Sequence, residues 1–361
     1  PGPPGESGFV HGRLIADLLS PAFVEAYLRR LAPINRFTLD DVRVQASRWL
    51  DGLPVNFQEE IDGMARGSGR PLAEVAAFLY ADIARATRDV AVNHAYDAVR
   101  DPELGNARGP MCSAVVSNAN RCRWASRNCD WLTATLMRGT SCVVHAVPNR
   151  IPVMAVGIRG DIDIDTGMNA EGLWLHLHTL LAKDDPPRDR TCISWLFWAR
   201  EALERCATLD ELEAFIHATG RDRGVIAIAV EGKTGDAAVF ECTKADARRV
   251  DAGTEPLFAT NHTLAKVIDE AREAKSRPGS TVGRFCALRS LLREHAPEHG
   301  PDDFIDLLAA EGVEMRTPEH LRTIYSAVAN PKHNEVWFAA GKADGPPAAS
   351  RGRWERVLWK W

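Results

Sequence analysis

Cys112 is the residue whose type and surroundings most directly suggest chemistry. It opens an apolar run, follows the flexible stretch Gly109-Pro110-Met111 and precedes the small hydroxyl residue Ser113. A thiol in such a place can attack the preceding carbonyl, and hydrolysis of the resulting thioester makes the cysteine a new amino terminus. The freed α-amine, with an ordinary pKa of about 8, can then act as general base for its own thiol. The alternative is a small buried core residue, the usual role of a cysteine at the head of a strand.

A carboxylate and a side-chain amide lie where they could assist Cys112. Asp130 ends the returning strand of a predicted hairpin, so its carboxylate can accept a hydrogen bond from the freed amine of Cys112. Asn261 follows an apolar strand, where its amide can donate to a developing oxyanion. Simpler roles stay open: Asp130 as a solvated strand-end residue, and Asn261 as a turn residue or as a glycosylation acceptor in Asn261-His262-Thr263.

Other candidate residues have a structural interpretation that is favoured. His176 and His178 alternate on one strand and could bind a metal ion from one face, but no third ligand has suitable spacing, so core or pocket histidines are preferred. The run Trp195-Leu-Phe-Trp198 predicts the buried face of a helix, although it could also wall an acyl pocket. Asn169 predicts a turn, because Asn-x-x-Gly between two strands is good turn chemistry.

The composition predicts a soluble enzyme of small-molecule metabolism. The 361 residues are 45% hydrophobic and 26% charged, with a net charge of −5 and a pI near 6.2. These values argue against a nucleic-acid or membrane partner. The eight cysteines form no CxxC pair and no zinc-type cluster, and no apolar run has the length of a membrane span. We therefore expect a cytoplasmic location, reduced thiols, no metal and no cofactor.

The elements that must position these residues change in character along the chain. Residues 1–12 are rich in proline and glycine and predict turns, and helical spacing follows over most of the first hundred residues. From Cys112 onward, apolar runs predict hairpins, with turns at 118–120, 148–150 and 169–172. Helices are predicted again at 192–206, 209–219, 282–295 and 302–310. Strand groups between helices predict an α+β fold, an αββα sandwich of mainly antiparallel sheets covered by helices, rather than a doubly wound parallel sheet.

Several motifs spread over most of the chain are similar to those of one enzyme family. They are the opening Gly-x-Pro-x-Glu-x-Gly-x-x-His-Gly pattern, the helix from Glu59 to Gly67, the pair Cys112-Ser113, and the segments 127–131, 167–173 and 260–262. Each motif is weak alone, but their order and spacing together are fairly specific. In these motifs the chain resembles the acyl-coenzyme A:6-aminopenicillanic acid acyltransferase-like family of self-processing cysteine N-terminal nucleophile hydrolases.

The resemblance implies cleavage between Met111 and Cys112, and hydrolysis or transfer of an acyl group on an amide-type small-molecule substrate through a Cys112 acyl-enzyme. Residues 1–111 would be a helical leader, the α-subunit after self-cleavage, and residues 112–361 the catalytic αββα body, the β-subunit. We therefore expect a heterodimer of the protein's own two fragments, packed as one globular unit, with a homo-oligomer left open. The expected partner is a small-molecule amide or acyl-CoA substrate, with no nucleic acid and no membrane.

The resemblance also implies roles for individual residues. Asp130 matches the family's aspartate eighteen positions after the nucleophile, since 130 minus 112 is 18. Arg127 matches the arginine of the related bile-salt and penicillin V hydrolases, which lies near the thiol and favours the thiolate. An ordinary surface arginine is the alternative. Asn261 matches the asparagine that donates to the oxyanion.

Three further residues have looser assignments. The resemblance to the bile-salt hydrolases lets Asn169 act as an oxyanion or substrate donor in addition to forming its turn. Arg316 matches the late arginine of the acyltransferases, although the interval to Tyr325 differs. His262 is either a partner of the substrate-binding residues or a capping histidine.

Two departures from the family pattern keep alternatives open. Met111 stands where the family often has glycine, and Ser113 where it often has threonine. A non-cleaving binding or scaffold member of the fold therefore stays an alternative, as does an acyl-CoA-dependent N-acyltransferase. A metal-dependent hydrolase using His176 and His178 is a more distant one. Hydrolysis is favoured over transfer, because water needs no dedicated acceptor site.

Overall fold

Two antiparallel sheets form the centre of the chain. The computed structural model describes residues 2–35, 37–83, 111–180, 192–243, 246–263, 281–316, 321–346 and 348–361. The predicted loop at 101–110, including Gly109 and Pro110, lies outside these residues. The strands are β1 Met111–Ala119, β2 Cys122–Leu132, β3 Thr140–His145, β4 Val153–Ile158, β5 Thr166–Asn169, β6 Leu173–Thr179, β7 Val225–Glu231, β8 Ala237–Cys242, β9 Ala247–Asp251, β10 Leu257–Ala259, β11 Leu321–Asn330, β12 Glu335–Ala340 and β13 Trp354–Leu358.

Helices precede the sheets and return between the strand groups. The described helices are α1 Pro4–Leu14, α2 Pro21–Asn35, α3 Leu39–Asp51, α4 Val55–Ser68, α5 Leu72–Ile83, α6 Trp195–Arg205, α7 Leu209–Ala218, α8 Thr281–Glu294 and α9 Pro301–Leu308. Short 3₁₀ turns occupy Thr133–Met137, Pro331–His333 and Ala349–Arg351. No helix within the described ranges is both long and apolar enough to span a membrane.

The sheets and helices are stacked in four layers. The first sheet has the strand order β10-β1-β2-β11-β12-β13, and the second has the order β3-β4-β5-β6-β7-β8-β9. Strand β1 packs against β6 and β2 against β7, so the sheets face each other. Helices α8 and α9 pack on the first sheet, and α6 and α7 pack on the second. This arrangement confirms the predicted αββα sandwich of antiparallel sheets.

The prediction of turns at the amino-terminal end is wrong, because the proline- and glycine-rich residues form helix α1. Proline at the first helical positions is compatible with a helix, since its missing N–H would be unpaired there in any case. The glycines serve a close contact with α4. A Cβ at Gly8 would lie 1.9 Å from the carbonyl oxygen of Glu60, and one at Gly12 would lie 2.2 Å from that of Met64. Glycine therefore marks helix packing here rather than chain reversal.

The β1–β2 hairpin turns slightly later than predicted. Strand β1 continues to Ala119, and the turn is formed by Asn120 and Arg121, whose φ angles are 49° and 61°. Positive φ at both central residues is the geometry of a type I′ turn, which matches the twist of the flanking strands. The turn fixes the register that places Cys112 opposite Cys129. A slip of one residue would move every side chain of β1 to the other face of the sheet.

Candidate active site

Cys112 is buried near the start of β1, the second strand of the first sheet. Its neighbours in that sheet are β2 on one side and β10 on the other. The hairpin register puts Cys112 opposite Cys129 and Met111 opposite Asp130. Strand β11 has an irregularity between Thr323 and Tyr325, which pair with Asp130 and Cys129. The site is therefore assembled from neighbouring strands of one sheet, and β2 holds the Cys112 side of β1 in a fixed register.

Arg127 joins Cys112 to the second sheet. Its guanidinium is fully buried and lies 3.0 Å from the Cys112 Sγ through Nη2. Its Nη1 donates to Asp165 Oδ2 and to Thr166 Oγ1, each at 2.8 Å. Burial disfavours the charge, but the Asp165 carboxylate, together with Tyr325 and the two neighbouring thiols, outweighs it, so the pKa of Arg127 is raised well above its ordinary value. A fixed positive charge at this distance favours the thiolate form of a cysteine.

Asp130 is a buried carboxylate on the strand next to Cys112. Its Oδ1 accepts a hydrogen bond of 2.6 Å from Thr323 Oγ1. Its Oδ2 is buried without a hydrogen-bond partner among the described residues, and it lies 3.9 Å from Arg284 Nη1. Burial raises the pKa of Asp130 to about 6, against the opposing effect of Arg284. The alternative of a solvated strand-end carboxylate is wrong, because Asp130 has no solvent exposure.

Asn261 lies against the backbone of Cys112. Its Oδ1 accepts the backbone N–H of Cys112 at 2.7 Å, and its Nδ2 donates to the carbonyl oxygen of Thr179 at 2.9 Å. A primary amide carries two N–H groups, so one bond to Thr179 leaves one available for another acceptor. The structure thus brings Asn261, Cys112 and Arg127 together, as the sequence predicts.

Arg284, in α8, is a site residue that the sequence analysis missed. The fully buried guanidinium donates to the carbonyl oxygen of Cys112, and also to Ser113 Oγ at 2.8 Å. Through Nη2 it donates to Asn261 Oδ1 at 3.0 Å. Burial lowers the pKa of Arg284, which Asp130 partly offsets. A sequence pattern could have identified Arg284: it lies four residues before Leu288, so both residues share the apolar, buried face of a helix.

The late arginine predicted from the resemblance lies elsewhere. Arg316 donates to Glu314 Oε2 at 3.0 Å and to the carbonyl oxygen of Ala309 at 2.8 Å, and its side chain is 36% exposed. The structure therefore brings Arg284, rather than Arg316, to the backbone of Cys112. Any role of Arg316 in the site stays a prediction.

Asn169 and His262 make local contacts. Asn169 Nδ2 donates to the carbonyl oxygens of Leu203 and Cys206, and its Oδ1 accepts two backbone N–H groups of the following turn. Both amide hydrogens are thus in use, which fits the turn interpretation and leaves none for a substrate. His262 Nδ1 lies 2.9 Å from Thr281 Oγ1, at the first residue of α8. His262 therefore helps to join the Asn261 segment to the helix that carries Arg284.

His176 and His178 face the space between the sheets as buried neutral side chains. Trp174 Nε1 donates to His176 Nδ1, and His178 Nδ1 lies 2.9 Å from the carbonyl oxygen of Thr260. Burial, and then the charge of Arg127, lower the pKa of both imidazoles well below 6.5. The described residues contain no group of three or more potential metal ligands. These contacts agree with the preferred interpretation of core or pocket histidines.

A small cavity of about 40 Å³ lies beside the site. Trp195 lines this cavity. The run Trp195-Leu-Phe-Trp198 therefore contributes a residue to a pocket as well as to the buried face of a helix. The cavity also reaches Cys129, Asp165 and Tyr325, which surround Arg127. The rest of the lining is mostly apolar and includes Ile83, Trp131, Val143, Ala155, Ile158 and Leu196. An acyl group that reached Cys112 from this side would meet apolar walls.

Comparison with known proteins adds a family match. Residues 117–344, more than half of the chain, match the family model described as acyl-coenzyme A:6-aminopenicillanic acid acyl-transferase. The match begins after Cys112 and includes the positions of Arg127, Asp130 and Asn261. No protein of curated function matches the chain.

Several solved structures are similar in shape to this chain, including these three. A mutant conjugated bile acid hydrolase from Clostridium perfringens has 12% identity and a TM-score of 0.49, covering 69% of this chain and 97% of its own. Penicillin V acylase from Agrobacterium tumefaciens has 15% identity and a TM-score of 0.46, covering 68% and 91%. The N-acylethanolamine-hydrolyzing acid amidase ortholog of Caenorhabditis elegans has 15% identity and a TM-score of 0.45, covering 69% and 100%.

Proposed function

Because the chain belongs to the acyl-coenzyme A:6-aminopenicillanic acid acyl-transferase family, we propose that it is a self-processing cysteine amidohydrolase that cleaves an amide-type small molecule through a Cys112 acyl-enzyme. One observation carries the proposal: the Cys112 Sγ lies 3.0 Å from the buried guanidinium of Arg127, next to the strand that holds Asp130 and in contact with Asn261. A structural cysteine would need none of these charged neighbours.

Self-processing uses the bond before Cys112. The thiol attacks the carbonyl carbon of Met111, the C–N bond breaks, and a thioester joins Met111 to the Cys112 sulfur. Water then hydrolyses the thioester, which leaves a carboxylate on Met111 and an α-amine on Cys112. Arg284 and Asn261 hold the carbonyl and N–H groups of Cys112, so this residue is fixed while the neighbouring bond breaks.

Acyl cleavage uses the same sulfur after the amine has been freed. The amine accepts the thiol proton, and the thiolate near Arg127 attacks the substrate carbonyl. The remaining N–H of Asn261 is the proposed donor to the oxyanion. Asp130 Oδ2, which has no hydrogen-bond partner within the described ranges, is the proposed acceptor for the amine. The amine then protonates the leaving group, and water releases the acyl product.

The two fragments would remain associated after cleavage, because buried contacts join the leader to the body. Glu60 of α4 pairs with Arg200 of α6 at 2.8 Å, and both side chains are at most 3% exposed. The rings of Phe57 and Phe197 pack edge to face, with centroids 4.6 Å apart. A heterodimer of residues 1–111 and 112–361 is therefore the proposed mature form, and a cytoplasmic location stays a prediction.

The test compares the wild type with Cys112→Ala on a denaturing gel and by intact mass. We expect two fragments from the wild type, with Cys112 as the amino terminus of the larger, and a single inactive chain from the variant. The matched control is Cys142→Ala, because Cys142 is a partly buried strand cysteine outside this cluster. A single wild-type chain, with amide cleavage that survives Cys112→Ala, would refute the proposal.

Transfer to an amine acceptor is the second candidate activity, and the family description favours it, since it names an acyl-coenzyme A acyl-transferase. Acyl-coenzyme A supplied with a β-lactam amine tests transfer, and N-acyl amino acids or β-alanyl amines test hydrolysis. An acylated amine formed faster than free acid would assign the chain to transfer. A non-cleaving binding protein is the alternative if Met111 stays attached to Cys112 and the thiol resists alkylation.

A further inference from the structure

A second cysteine lies directly opposite Cys112. Cys129 of β2 is its partner in the antiparallel register, and both side chains are buried free thiols. Directly opposite residues place their side chains on the same face of the sheet, with Cα atoms about 4.5–5.5 Å apart. Disulfides need a Cα separation of about 4.4–6.8 Å. The backbone of the hairpin therefore meets the distance requirement of a Cys112–Cys129 disulfide without rearrangement.

The surroundings of the two thiols differ. Arg127 Nη2 donates to Cys112 Sγ at 3.0 Å, so the Cys112 sulfur has a buried cation beside it. The Cys129 thiol donates to Asp165 Oδ2 at 3.4 Å. Burial, and then hydrogen bonding with the Cys112 side chain, raise the pKa of Cys129 well above its ordinary value. Cys112 is therefore the member of the pair that reacts with an electrophile, and Cys129 remains beside it as a thiol.

A small oxidant has room beside the pair, on the side of Cys129. The cavity of about 40 Å³ beside the site is lined by Cys129, Asp165 and Tyr325. A water molecule needs roughly 10–15 Å³ of such space. Hydrogen peroxide, which is not much larger than water, fits the same cavity.

We propose that Cys112 and Cys129 form an oxidative modification site, in which Cys129 resolves a sulfenic acid on Cys112. The Cys112 thiolate attacks one oxygen of hydrogen peroxide, the O–O bond breaks and hydroxide leaves. The sulfur of Cys129 then attacks the Cys112 sulfur, the S–O bond breaks, and the Cys129 proton passes to the departing hydroxide to form water. In sum, two thiols and one peroxide give one disulfide and two waters. Reduction by a thiol regenerates Cys112 before it reaches the irreversible sulfinic acid.

The disulfide does not depend on the proposed function, whereas the loss of activity on oxidation does. The experiment treats the purified protein with limiting hydrogen peroxide and measures the mass of the species that carries Cys112. We expect a loss of about 2 Da, the mass of two hydrogen atoms. A digest under nonreducing conditions should contain one disulfide-linked peptide that joins Cys112 to Cys129. Dithiothreitol should restore the mass, the alkylation of Cys112 and any amide cleavage.

Variants at the second cysteine sharpen the test. In Cys129→Ala and Cys129→Ser, excess hydrogen peroxide should add about 32 Da to Cys112 as the sulfinic acid, because two peroxide molecules each transfer one oxygen to the sulfur, and dithiothreitol should not reverse it. The wild type treated with the same excess should still form the disulfide. Cys142→Ala should behave as the wild type, because Cys142 lies opposite Val156. Wild-type protein that gains oxygen on Cys112 without losing about 2 Da, or that joins Cys112 to another cysteine, would overturn the inference. A disulfide without amide cleavage would instead refute only the proposed function.

Discussion

The Arg127 guanidinium contacts the Cys112 sulfur at 3.0 Å while Asp165 and Thr166 hold it from the opposite sheet. Cys112 and Arg127 are contributed by adjacent strands of the first sheet, and Thr166 belongs to β5 of the second. The contact therefore depends on the packing of the two sheets as well as on the hairpin. Because both groups are buried, their electrostatic interaction is weakly screened by salt.

Replacing Arg127 with Gln should slow alkylation of Cys112 at neutral pH and lower kcat/KM for amide cleavage. A hydrogen bond to a charged group is worth about 1.5–3 kcal/mol, which corresponds to a fall of roughly 10- to 100-fold. Iodoacetamide labelling, followed by peptide mass analysis at Cys112, measures the first effect. Steady-state kinetics measures the second.

The control for this prediction is Arg248→Gln, which removes an exposed arginine from β9. We expect no change in either rate for that variant. Equal labelling rates for Cys112 in the wild type and in Arg127→Gln would show that the guanidinium does not activate the thiol.

Replacing Arg284 with Met should destabilise the fold and stop self-processing. The guanidinium donates to the Cys112 carbonyl, Ser113 and Asn261, and it is the cation 3.9 Å from the buried Asp130 carboxylate. Removing one partner from a buried set of charges costs about 3–5 kcal/mol, because the other charge stays buried. Urea unfolding measures the loss, and a denaturing gel measures the accumulation of uncleaved chain.

A second substitution separates charge from packing. Asp130→Asn removes the carboxylate that Arg284→Met leaves uncompensated, so the double variant should be more stable than the sum of the single effects implies. A double-mutant cycle gives the coupling free energy. Purely additive losses would mean that Arg284 and Asp130 do not interact.

The part of the site that lies on the β1–β2 hairpin was predictable from the sequence. The part that depends on how a distant helix packs on the sheet was not. Cys112, Arg127 and Asp130 lie on one hairpin, so strand patterning and turn chemistry were enough to bring them together. The contact between Arg284 and the Cys112 carbonyl joins residues 172 positions apart. It depends on how α8 packs on the first sheet, which hydrophobic periodicity does not specify.

One error and one untested assignment have the same physical origin, since one residue type serves several purposes. Glycine at positions 8 and 12 permits close helix packing, although the same residue also forms turns. An arginine late in the chain can lie in the site or on its margin, and Arg316 pairs with Glu314 instead. Only the packed structure distinguishes these roles.

Gly8→Ala tests the packing of α1 on α4. A Cβ at this position would lie 1.9 Å from the Glu60 carbonyl oxygen, a backbone atom that cannot rotate away. Overpacking of this kind costs about 1–3 kcal/mol, and more where the backbone must move. We expect the free energy of unfolding to fall by at least that amount, as measured by urea denaturation.

Gly157→Ala is the matched control, because a Cβ there would have no heavy atom within 4 Å. Its free energy of unfolding should change by less than about 1 kcal/mol. If both variants lose the same stability, the close contact between α1 and α4 is not the cause.

The buried carboxylate of Asp130 should give the protein a characteristic pH dependence. Burial raises its pKa from an ordinary value of 3.8 to about 6. Between these values the folded chain binds more protons than the unfolded chain, so the free energy of unfolding falls as the pH rises. The difference between the two pKa values corresponds to about 3 kcal/mol, lost progressively between about pH 3 and pH 7.

Asp130→Asn isolates this contribution, because the amide does not titrate. The wild type minus variant difference in unfolding free energy should decrease by about 3 kcal/mol from pH 3 to pH 7, as measured by urea unfolding at each pH. Amide cleavage should show the opposite trend in the wild type, rising through about pH 6 as the carboxylate becomes able to accept a hydrogen bond from the Cys112 amine. A stability difference that is constant over this range would mean that Asp130 is ionised throughout in the folded chain.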